Sequence, residues 1–375
     1  MKLLIVTNLF PNAAEPNRAT FNFQQFSALA KLCELKVVAP VPFFRFSRKE
    51  VPSFEKINGI EVYHPRYLAI PKIFRFTHGP AFFLGIWHTL RSVQKTFDFD
   101  VVLASWAYPD AFGTALAADK LKKRFYVKVQ GSDINLAHKY WGRVRMIKSA
   151  LGKAEKIIAV SRPLKEKLVS MGIAEIKIVV IPNGVDKAKF HPRDKAECRR
   201  ALRLNADRKI ILFIGNLAEV KGVEYLVQAF KKLSTYQDTE LLIVGDGPLR
   251  SKLEALTEEL GIKGRVLFKG RRSYDEVSIW LNATDVLCLP SLNEGCPNVV
   301  LEALACGTRV VASNVGGVPD IIDSPEKGWL AKPGDPDDLE RQLKDALEAS
   351  VLSTFGQSMS WKENAGQFLR VLSSL

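Results

Sequence analysis

Hydrophobic positions along the chain follow two alternating patterns from one end to the other. Short runs that are apolar throughout are typical of buried strands, and between them lie longer stretches with the three-to-four-residue spacing of amphipathic helices. A β-α succession of this kind predicts parallel sheets covered by helices on both faces. The predicted strands are residues 2–7, 35–39, 101–105, 125–129, 156–160 and 177–181, and then residues 210–214, 240–244, 265–268, 285–289 and 309–312.

The β-α succession starts twice along the chain, which indicates two domains. A chain of 375 residues is also longer than the chains that usually fold around a single hydrophobic core. Between the two series lie the turn 182–186 and the charged run 187–208, which we interpret as a polar linker. The sequence therefore predicts an α/β protein with two doubly wound, Rossmann-like parallel-sheet domains, residues 1–190 and 191–358. Residues 361–375 have a helical pattern with one apolar face that could pack on either domain.

Composition narrows the class of protein. Hydrophobic residues make up 47% of the chain and charged residues 25%, as in ordinary globular proteins. The five cysteines include no C-x-x-C pair, so we expect neither a disulfide framework nor a metal site, and a reducing compartment fits. The N-terminal apolar run is too short for a signal peptide, and no stretch approaches the roughly 18 apolar residues of a spanning helix. We therefore expect a cytoplasmic protein.

Positive charge is concentrated in the first half of the chain. Residues 1–190 hold 30 lysines and arginines against 14 aspartates and glutamates, whereas the remainder is slightly acidic. Such a field favours an anionic partner, namely a phospholipid surface, a diphosphate-linked carrier or nucleic acid, although general solubility is an alternative. Within this half, residues 66–91 mix aromatic, aliphatic and basic side chains. They are predicted either to lie in a bilayer interface or to form a core helix preceded by a loop.

One loop in the second half carries two carboxylates around a predicted helix start. Residues 290–297 follow a buried strand and contain Glu294, and the helix that begins after them contains Glu302. Pro297 suits the first helical position and Gly307 the C-cap, so the backbone N–H groups of residues 298–300 would form an anion site. Two carboxylates here suit sugar hydroxyls better than phosphates, which indicates a nucleotide sugar. The alternative is a capping carboxylate and a solvated one.

Other strand ends carry weaker signals. Gly215 and Gly222 bracket a strand-to-helix turn in which Lys221 could pair with a diphosphate, although a solvated lysine is the simpler interpretation. Gly245-Asp246-Gly247 lacks the third glycine of a dinucleotide fingerprint, so we interpret it as turn geometry. In the first half the candidates follow successive strands, and each alone is as consistent with a helix cap or a solvated charge. They are Arg18, Gln130, Asp133, Ser161 and Arg162.

Together these motifs resemble the family 4 glycosyltransferases, also described as glycosyl transferases group 1, over nearly the whole chain. The spacing of Glu294 and Glu302 is the most specific part of the match. The N-terminal loop further resembles bacterial surface-polysaccharide and teichuronic-acid-type transferases. The matching residues are Ala159-Val160-Ser161, residues 181–186 with Phe190 and Pro192, Gly215, Lys221-Gly222, residues 245–248, residues 290–307 and residues 314–320.

The resemblance implies a GT-B fold, in which two Rossmann-like domains face a cleft, with the donor bound by the C-terminal domain and the acceptor by the N-terminal one. It implies a retaining, metal-independent transferase in which Glu294 binds donor sugar hydroxyls, Glu302 binds the ribose and Lys221 stabilises the leaving diphosphate. The C-terminal helix, residues 359–375, would pack back on the first domain. No cofactor is implied besides the nucleotide-diphosphate sugar. We also assign to the donor site Gly215, Asn216, Arg271, Gly295, Cys296, Pro297, Asn298 and Val299.

The same resemblance places the first-half candidates, Arg18, Gln130, Asp133, Ser161 and Arg162, on the acceptor side of the cleft. The partners it implies are a nucleotide sugar, a lipid-linked or glycan acceptor and the anionic inner face of the membrane, with no role for nucleic acid. Two residues depart from the family pattern. Asn216 stands where an arginine usually shares the diphosphate with the lysine, and Gln130 stands where many members have a histidine that contacts the donor sugar.

Two other classes of function are alternatives to sugar transfer. A nucleotide-sugar epimerase or a phosphorylase would share the fold, but the chain lacks extra carboxylates in the first domain for the former and the length for the latter. A non-catalytic protein that binds an anionic polymer would use the basic half. Such a protein would not need the two carboxylates Glu294 and Glu302.

Overall fold

The computed structural model describes residues 1–43, 51–69, 75–135, 142–234, 238–349 and 358–374. The chain forms two units, one of Met1–Asn183 with Trp361–Leu375 and the other of Gly184–Ser360. The chain therefore leaves the first unit after Asn183 and returns to it at Trp361. None of the helices in these ranges is long and apolar enough to cross a membrane.

The first unit is built on a sheet whose strands are parallel with one exception. Its order is β10-β9-β8-β7-β1-β2-β5-β4, and only β4 runs antiparallel, against β5. A separate two-stranded ribbon joins β3 and β6. The strands of this unit are β1 (Lys2–Val6), β2 (Glu34–Val38), β3 (Val41–Pro42), β4 (Phe54–Ile57), β5 (Ile60–Tyr63), β6 (Arg66–Tyr67), β7 (Val101–Ser105), β8 (Arg124–Val129), β9 (Ile157–Ala159) and β10 (Ile178–Val180).

The β4–β5 hairpin is an element that the apolar pattern did not predict. Its strands are only partly buried, so they do not form an apolar run. The local signal was the dipeptide Asn58-Gly59, which adopts positive φ angles of 49° and 81°, as a two-residue hairpin turn requires.

Helices cover this sheet, and one of them is the C-terminal helix of the chain. They are α1 (Thr20–Leu29), α2 (His78–Phe97), α3 (Phe112–Leu121), α4 (Ser132–Asn135), α5 (Arg143–Lys153), α6 (Arg162–Ser170) and, after the second unit, α14 (Trp361–Ser373). Helix α2 buries one stripe at helical spacing, namely Phe82, Ile86, Leu90, Val93 and Phe97. Of the basic aromatic segment 66–91, the described part thus forms β6 and a core helix, and residues 70–74 lie outside the described residues.

The second unit repeats the pattern with a six-stranded parallel sheet in the order β13-β12-β11-β14-β15-β16. Its strands are β11 (Lys209–Ile214), β12 (Thr239–Val244), β13 (Val266–Gly270), β14 (Val286–Leu289), β15 (Arg309–Ser313) and β16 (Trp329–Ala331). Its helices are α7 (Lys195–Leu202), α8 (Val223–Leu233), α9 (Arg250–Glu259), α10 (Tyr274–Ala283), α11 (Asn298–Cys306), α12 (Val318–Ile321) and α13 (Pro336–Glu348).

The interpretation of residues 187–208 as a linker is wrong. They contain α7, which belongs to the second unit. The reason is a buried arginine: Arg199 donates to Asp285 at 2.7 Å and to the carbonyl oxygens of Ala283 and Ala206 at 2.9 and 2.6 Å. A charged side chain can be buried when its donors are satisfied, so a charged run does not by itself mark a linker.

The C-terminal helix α14 belongs to the core of the first unit. Phe368 and Leu372 are fully buried in a cluster with Phe26 and Tyr126. Polar contacts add to this packing: Asn364 donates to the carbonyl oxygen of Pro182 at 2.6 Å and accepts from Gln25 at 2.7 Å. Gln25 in turn accepts from the buried Lys128 at 2.7 Å. The end of the chain is thus integral to the first unit.

We expect the variant Phe368→Ala to lower the free energy of unfolding of the first unit by about 3–5 kcal/mol, because it removes a fully buried ring and leaves a cavity. Denaturant unfolding followed by circular dichroism measures this loss. The matched control is Lys362→Ala, an exposed position on the same helix, for which we expect a change within about 0.5 kcal/mol. Equal effects of the two variants would contradict the integral role of α14.

Candidate active site

The loop between β14 and α11 brings the two predicted catalytic side chains together. The Lys221 Nζ donates to Oε1 of Glu294 at 2.6 Å, and the Ser291 hydroxyl donates to the same oxygen at 2.7 Å. The Glu294 side chain is only 10% exposed. A lysine and a carboxylate at this distance form a charge-assisted hydrogen bond, which fixes both groups.

Backbone contacts hold the loops that carry this pair. The N–H of Leu292 donates to the carbonyl oxygen of Val220 at 2.8 Å, next to Lys221. A Cβ at Gly222 would lie 2.2 Å from the carbonyl oxygen of Pro290, and a Cβ at Gly316 would lie 1.9 Å from that of Glu294. Gly222 and Gly316 have φ angles of 59° and 51° as well. Only glycine fits such approaches, so the three loops are held backbone to backbone.

Helix α11 begins one residue later than predicted. Pro297 is its N-cap residue rather than its first helical residue, and Gly307 caps its C-terminus in the left-handed conformation at φ 73°. The N–H of Val300 donates to the carbonyl oxygen of Pro297 at 3.1 Å, so it is not available to an anion. The predicted anion site at the helix start is therefore smaller by one donor. Gly295 and Cys296 lie in the loop between Glu294 and this cap.

Glu302, the second carboxylate, is buried within the unit. Burial raises its pKa from 4.5 to about 7, and the Tyr274 hydroxyl, which hydrogen-bonds it, opposes the shift. Burial and the Glu302 charge raise the pKa of Tyr274. The Tyr274 ring contacts Phe190 edge-on at a centroid distance of 5.4 Å, and the Lys189 ammonium lies 4.6 Å from the ring centre. Tyr274 was not predicted, because a tyrosine at a helix start carries no distinctive sequence signal.

A cavity of about 370 Å³ lies at the carboxyl ends of β11, β12 and β13. It brings together three residues assigned to the donor site, Gly215, Asn216 and Arg271, and adds Arg272 and Asp246. Gly245 is required where two of these strands end, because a Cβ there would lie 1.8 Å from the carbonyl oxygen of Gly215. The cavity is large enough for part of a small-molecule ligand, and its two arginines favour an anionic group.

Polar side chains meet at the carboxyl edge of the first sheet in the same way. Asp133 is buried and accepts from the backbone N–H groups of Ala107, Gln130 and Gly131 at 2.8, 3.1 and 2.9 Å, which makes it an organiser of these loops. Its burial raises its pKa. Arg18 donates to the Asn8 carbonyl oxygen at 3.1 Å and pairs with Glu15 at 2.8 Å.

The remaining two candidates of the first unit lie at the start of α6, after β9. Ser161 is the N-cap residue and is buried, whereas Arg162 is exposed at the first helical position. The N–H of Lys165 donates to the Ser161 carbonyl oxygen at 3.1 Å, so this backbone is part of the helix start.

Asp110 was missed by the sequence reasoning. It is fully buried between two strand ends, where its Oδ2 accepts from the N–H of Asn8 at 2.8 Å. No group in the described part of the chain hydrogen-bonds its Oδ1. Burial raises its pKa well above the usual range, and the Asp133 charge adds to the shift. The sequence signal that could have identified Asp110 is its position as a polar residue shortly after a buried strand, in Trp106-Ala107-Tyr108-Pro109-Asp110.

Two family models match the chain in succession. Residues 22–189 match Glycosyltransferase Family 4, and residues 194–368 match Glycosyl transferases group 1. The chain is 30% identical over 339 residues to TuaC of Bacillus subtilis, which is named as a teichuronic acid biosynthesis glycosyltransferase, with 86% of this chain and 83% of TuaC covered. It is 29% identical over 258 residues to N-acetyl-alpha-D-glucosaminyl L-malate synthase of Bacillus anthracis, with 68% and 67% covered.

Solved structures show the same fold. Anabaena HepE in complex with UDP and glucose aligns with a TM-score of 0.78 at 20% identity, with 100% of both chains covered. Sucrose-phosphate synthase from Thermosynechococcus elongatus aligns with a TM-score of 0.76 at 20% identity, with 99% of this chain and 95% of that chain covered. The predicted GT-B fold is thereby confirmed, and the two family models define the class of the protein as a glycosyltransferase.

Within that class, the chain belongs to the family 4 glycosyltransferases, glycosyl transferases group 1. Membership of this family confirms the predicted enzyme class, glycosyltransferase. It argues against the alternative of a non-catalytic protein that binds an anionic polymer.

The raised pKa of Glu302 makes the stability of the ligand-free protein depend on pH. Because its pKa in the folded protein, about 7, lies above the ordinary 4.5, the stabilising protonated form is lost as the pH rises between these values. We expect wild type to lose about 3 kcal/mol relative to Glu302→Gln between pH 4.5 and pH 7.5. Thermal or denaturant unfolding at a series of pH values measures it. Glu259→Gln, at an exposed position, is the control and should track wild type; parallel curves for all three proteins would refute the shift.

Proposed function

We propose that the enzyme is a retaining, metal-independent glycosyltransferase that moves a sugar from a nucleoside-diphosphate sugar to a lipid-linked or polysaccharide acceptor at the anionic inner face of the membrane. The observation that carries this proposal is the Lys221–Glu294 pair at the loop before α11, at 2.6 Å. One group is suited to a leaving diphosphate and the other to the hydroxyls of the transferred sugar.

Lys221 and the start of α11 supply the positive charge of the site. As the glycosidic bond breaks, negative charge develops on the diphosphate, and a lysine ammonium with backbone N–H groups stabilises it without a metal ion. In the ligand-free protein Glu294 neutralises this lysine. Donor binding replaces that contact, so that Lys221 turns to phosphate and Glu294 accepts from sugar hydroxyls.

Glu302 is proposed to hold the ribose. An ionised carboxylate can accept a hydrogen bond at each oxygen from two neighbouring hydroxyls, whereas a protonated carboxyl group donates from one of its oxygens. Since burial raises its pKa to about 7, ribose binding and ionisation are coupled near neutral pH. Tyr274, which already hydrogen-bonds Glu302, is the residue that orients it.

The neutral Asn216 leaves the diphosphate with one cation fewer than the family pattern provides. Arg271 and Arg272 line the same cavity as Asn216, and they restore positive charge there. The Arg272 guanidinium is partly engaged, because it lies 5.6 Å from the Trp280 ring centre and 3.8 Å from Glu276. Arg271 is therefore the better placed of the two for the donor.

The donor and acceptor classes draw support from the relatives. HepE, whose structures contain UDP and UDP-glucose, supports a uridine nucleotide sugar as the donor. TuaC, named for teichuronic acid biosynthesis, supports a surface polysaccharide as the product, with the acceptor carried on a lipid or on the growing polymer. An epimerase-like activity on the same nucleotide sugars would leave the acceptor unchanged. The transfer assay described below distinguishes the two activities, because only a transferase adds a sugar to the acceptor.

A membrane face is proposed around the crossing of β6 and α2. Large apolar side chains are exposed on these two elements or next to them in the chain: Phe43, Leu68, Phe76 and Leu84, of which Leu84 is 69% exposed. The N–H of Phe43 donates to the Tyr67 carbonyl oxygen at 2.7 Å, and α2 packs on Tyr67 through a glycine next to Leu84. Exposed apolar side chains on the strongly basic half of the chain fit an anionic bilayer surface.

We expect Glu294→Ala and Lys221→Ala each to lower the rate of sugar transfer by roughly 10²–10³-fold, because each removes one group that stabilises the transition state. The assay incubates purified enzyme with a panel of UDP-, GDP- and ADP-sugars and a polyprenyl-diphosphate-linked sugar acceptor, and follows product by mass spectrometry. Lys252→Ala, a surface lysine of the same unit that pairs with Glu224, is the control and should keep full activity. Retained turnover in Glu294→Ala would refute the assignment.

We expect the protein to sediment with vesicles that contain anionic phospholipid and not with neutral vesicles, and to be released by salt, because exposed charges are screened at high ionic strength. Leu84→Glu should weaken the binding, since it places a like charge and no apolar surface at the bilayer. Ile176→Glu is the matched control, because Ile176 is 80% exposed in the same unit but away from the β6–α2 crossing. Equal binding to both kinds of vesicle would contradict the proposed membrane face.

A further inference from the structure

Ser291 lies three residues before Glu294 in the loop between β14 and α11, and its side chain is fully buried. Its hydroxyl lies 2.7 Å from Oε1 of Glu294, and the Lys221 Nζ lies 2.6 Å from the same oxygen. An ionised carboxylate can only accept hydrogen bonds, so both groups donate to it. One oxygen of Glu294 thus has two protein donors, of which the proposed transfer reaction employs only Lys221.

The other carboxylate oxygen of Glu294, Oε2, is left for a ligand. No group in the described part of the chain hydrogen-bonds Oε2, and protein atoms do not fully enclose it. The Glu294 side chain is 10% exposed, so Oε2 is the acceptor through which this carboxylate can meet a bound molecule. The two donors at Oε1 therefore determine which oxygen is turned outward.

Ser291 is held in place on both sides along the backbone. The carbonyl oxygen of Pro290 lies so close to Gly222 that a Cβ there would be 2.2 Å away. The N–H of Leu292 donates to the carbonyl oxygen of Val220 at 2.8 Å. A serine hydroxyl is joined to its backbone by one rotatable bond, and this hydroxyl has no solvent to turn towards. Ser291 is thus a stationary donor.

Lys221 is a donor of a different kind. Its ammonium is carried on a flexible four-carbon stem, and its side chain is 26% exposed. When this ammonium turns to a diphosphate, Oε1 of Glu294 keeps the Ser291 hydroxyl as its one donor among the described residues. The serine can therefore hold the carboxylate at the moment when the lysine no longer does.

We propose that Ser291 is a positioning residue whose hydroxyl holds Oε1 of Glu294 after Lys221 has turned to the diphosphate, so that Oε2 is presented to the donor sugar. This role rests on the proposed function for the movement of Lys221. It has a consequence that a purely structural serine would not have. Oε1 has two donors in the free protein and one in the donor complex, so loss of Ser291 costs the complex more than the free protein.

The first test is a mutant cycle between Ser291 and Lys221, measured by calorimetric binding of UDP-glucose, UDP-N-acetylglucosamine, UDP-galactose and GDP-mannose. For the tightest binder we expect Ser291→Ala to weaken binding about tenfold in the wild-type background, as the loss of a hydrogen bond to a charged group would. In the Lys221→Ala background the same change should alter binding by less than about twofold, because Oε1 then has Ser291 alone in both states. Equal losses in the two backgrounds would overturn the proposal.

The second test is a cycle between Ser291 and Glu294, which does not require binding by Lys221→Ala. Glu294→Ala keeps the nucleotide contacts of the donor, so its affinity for the same nucleotide sugar remains measurable. We expect Ser291→Ala to cause no further loss in this background, because the serine acts only through the carboxylate. An additional tenfold loss would show that Ser291 acts elsewhere, and the positioning role would be wrong.

Ser278→Ala is the matched control. Ser278 is also fully buried in the second unit, and its hydroxyl has no hydrogen-bond partner among the described residues. It should bind the nucleotide sugar as wild type does. Ser291→Cys keeps a weak donor at the same place, so it should bind more tightly than Ser291→Ala. If Ser278→Ala lost as much affinity as Ser291→Ala, or Ser291→Cys recovered none, the hydroxyl of Ser291 would have no special part.

The same measurements separate this role from the proposed function. If none of the four nucleotide sugars binds to wild type, the proposed function is overturned, and the role of Ser291 is overturned with it. If a nucleotide sugar binds to wild type and binds equally well to Ser291→Ala, only the role of Ser291 is overturned. Melting temperatures of the variants in the absence of ligand verify that each one is folded at the temperature of the assay.

Discussion

The site in the second unit depends on the close approach of backbone to backbone between loops at the carboxyl ends of its strands. Gly222 lies against the Pro290 carbonyl oxygen and Gly316 against that of Glu294, at distances that leave no room for a Cβ. The backbone positions of Lys221 and Glu294 are therefore set by contacts between peptide groups. Charge stabilisation in a transition state requires such fixed positions, because groups that must first reorganise lose much of their effect.

Burial of carboxylates is the second constraint, and it acts in both units. Glu302, Asp110 and Asp133 all have a raised pKa, with desolvation as the largest cause. The consequences differ with the available donors. Asp133 accepts three backbone N–H groups and organises a loop, whereas Glu302 has the Tyr274 hydroxyl as a hydrogen-bond partner. A buried carboxyl group is thus held by backbone N–H groups in one unit and by a side-chain hydroxyl in the other.

Much of the fold follows from the sequence, because apolar runs and amphipathic spacing are local signals. The pattern missed the β4–β5 hairpin, whose strands are half-exposed, and it mistook α7 for a linker because Arg199 is buried through contacts distant in sequence. At the site, Lys221 and Glu294 could each be proposed from a motif, but their contact with each other could not. Tyr274 and Asp110 could not, because their roles arise from neighbours that only the folded chain brings close.

The two sheet edges differ in the ligand chemistry they can accept. The edge of the second unit offers Lys221, Arg271 and Arg272, which are cations suited to a diphosphate. At the edge of the first unit the carboxyl groups of Asp110 and Asp133 are buried and accept from backbone N–H groups, and the Gln130 side chain is partly exposed. A histidine in place of Gln130 could donate or accept according to its protonation. Gln130 has no such change of protonation, and its side-chain nitrogen donates to Asn22 and Ser105 within the first unit.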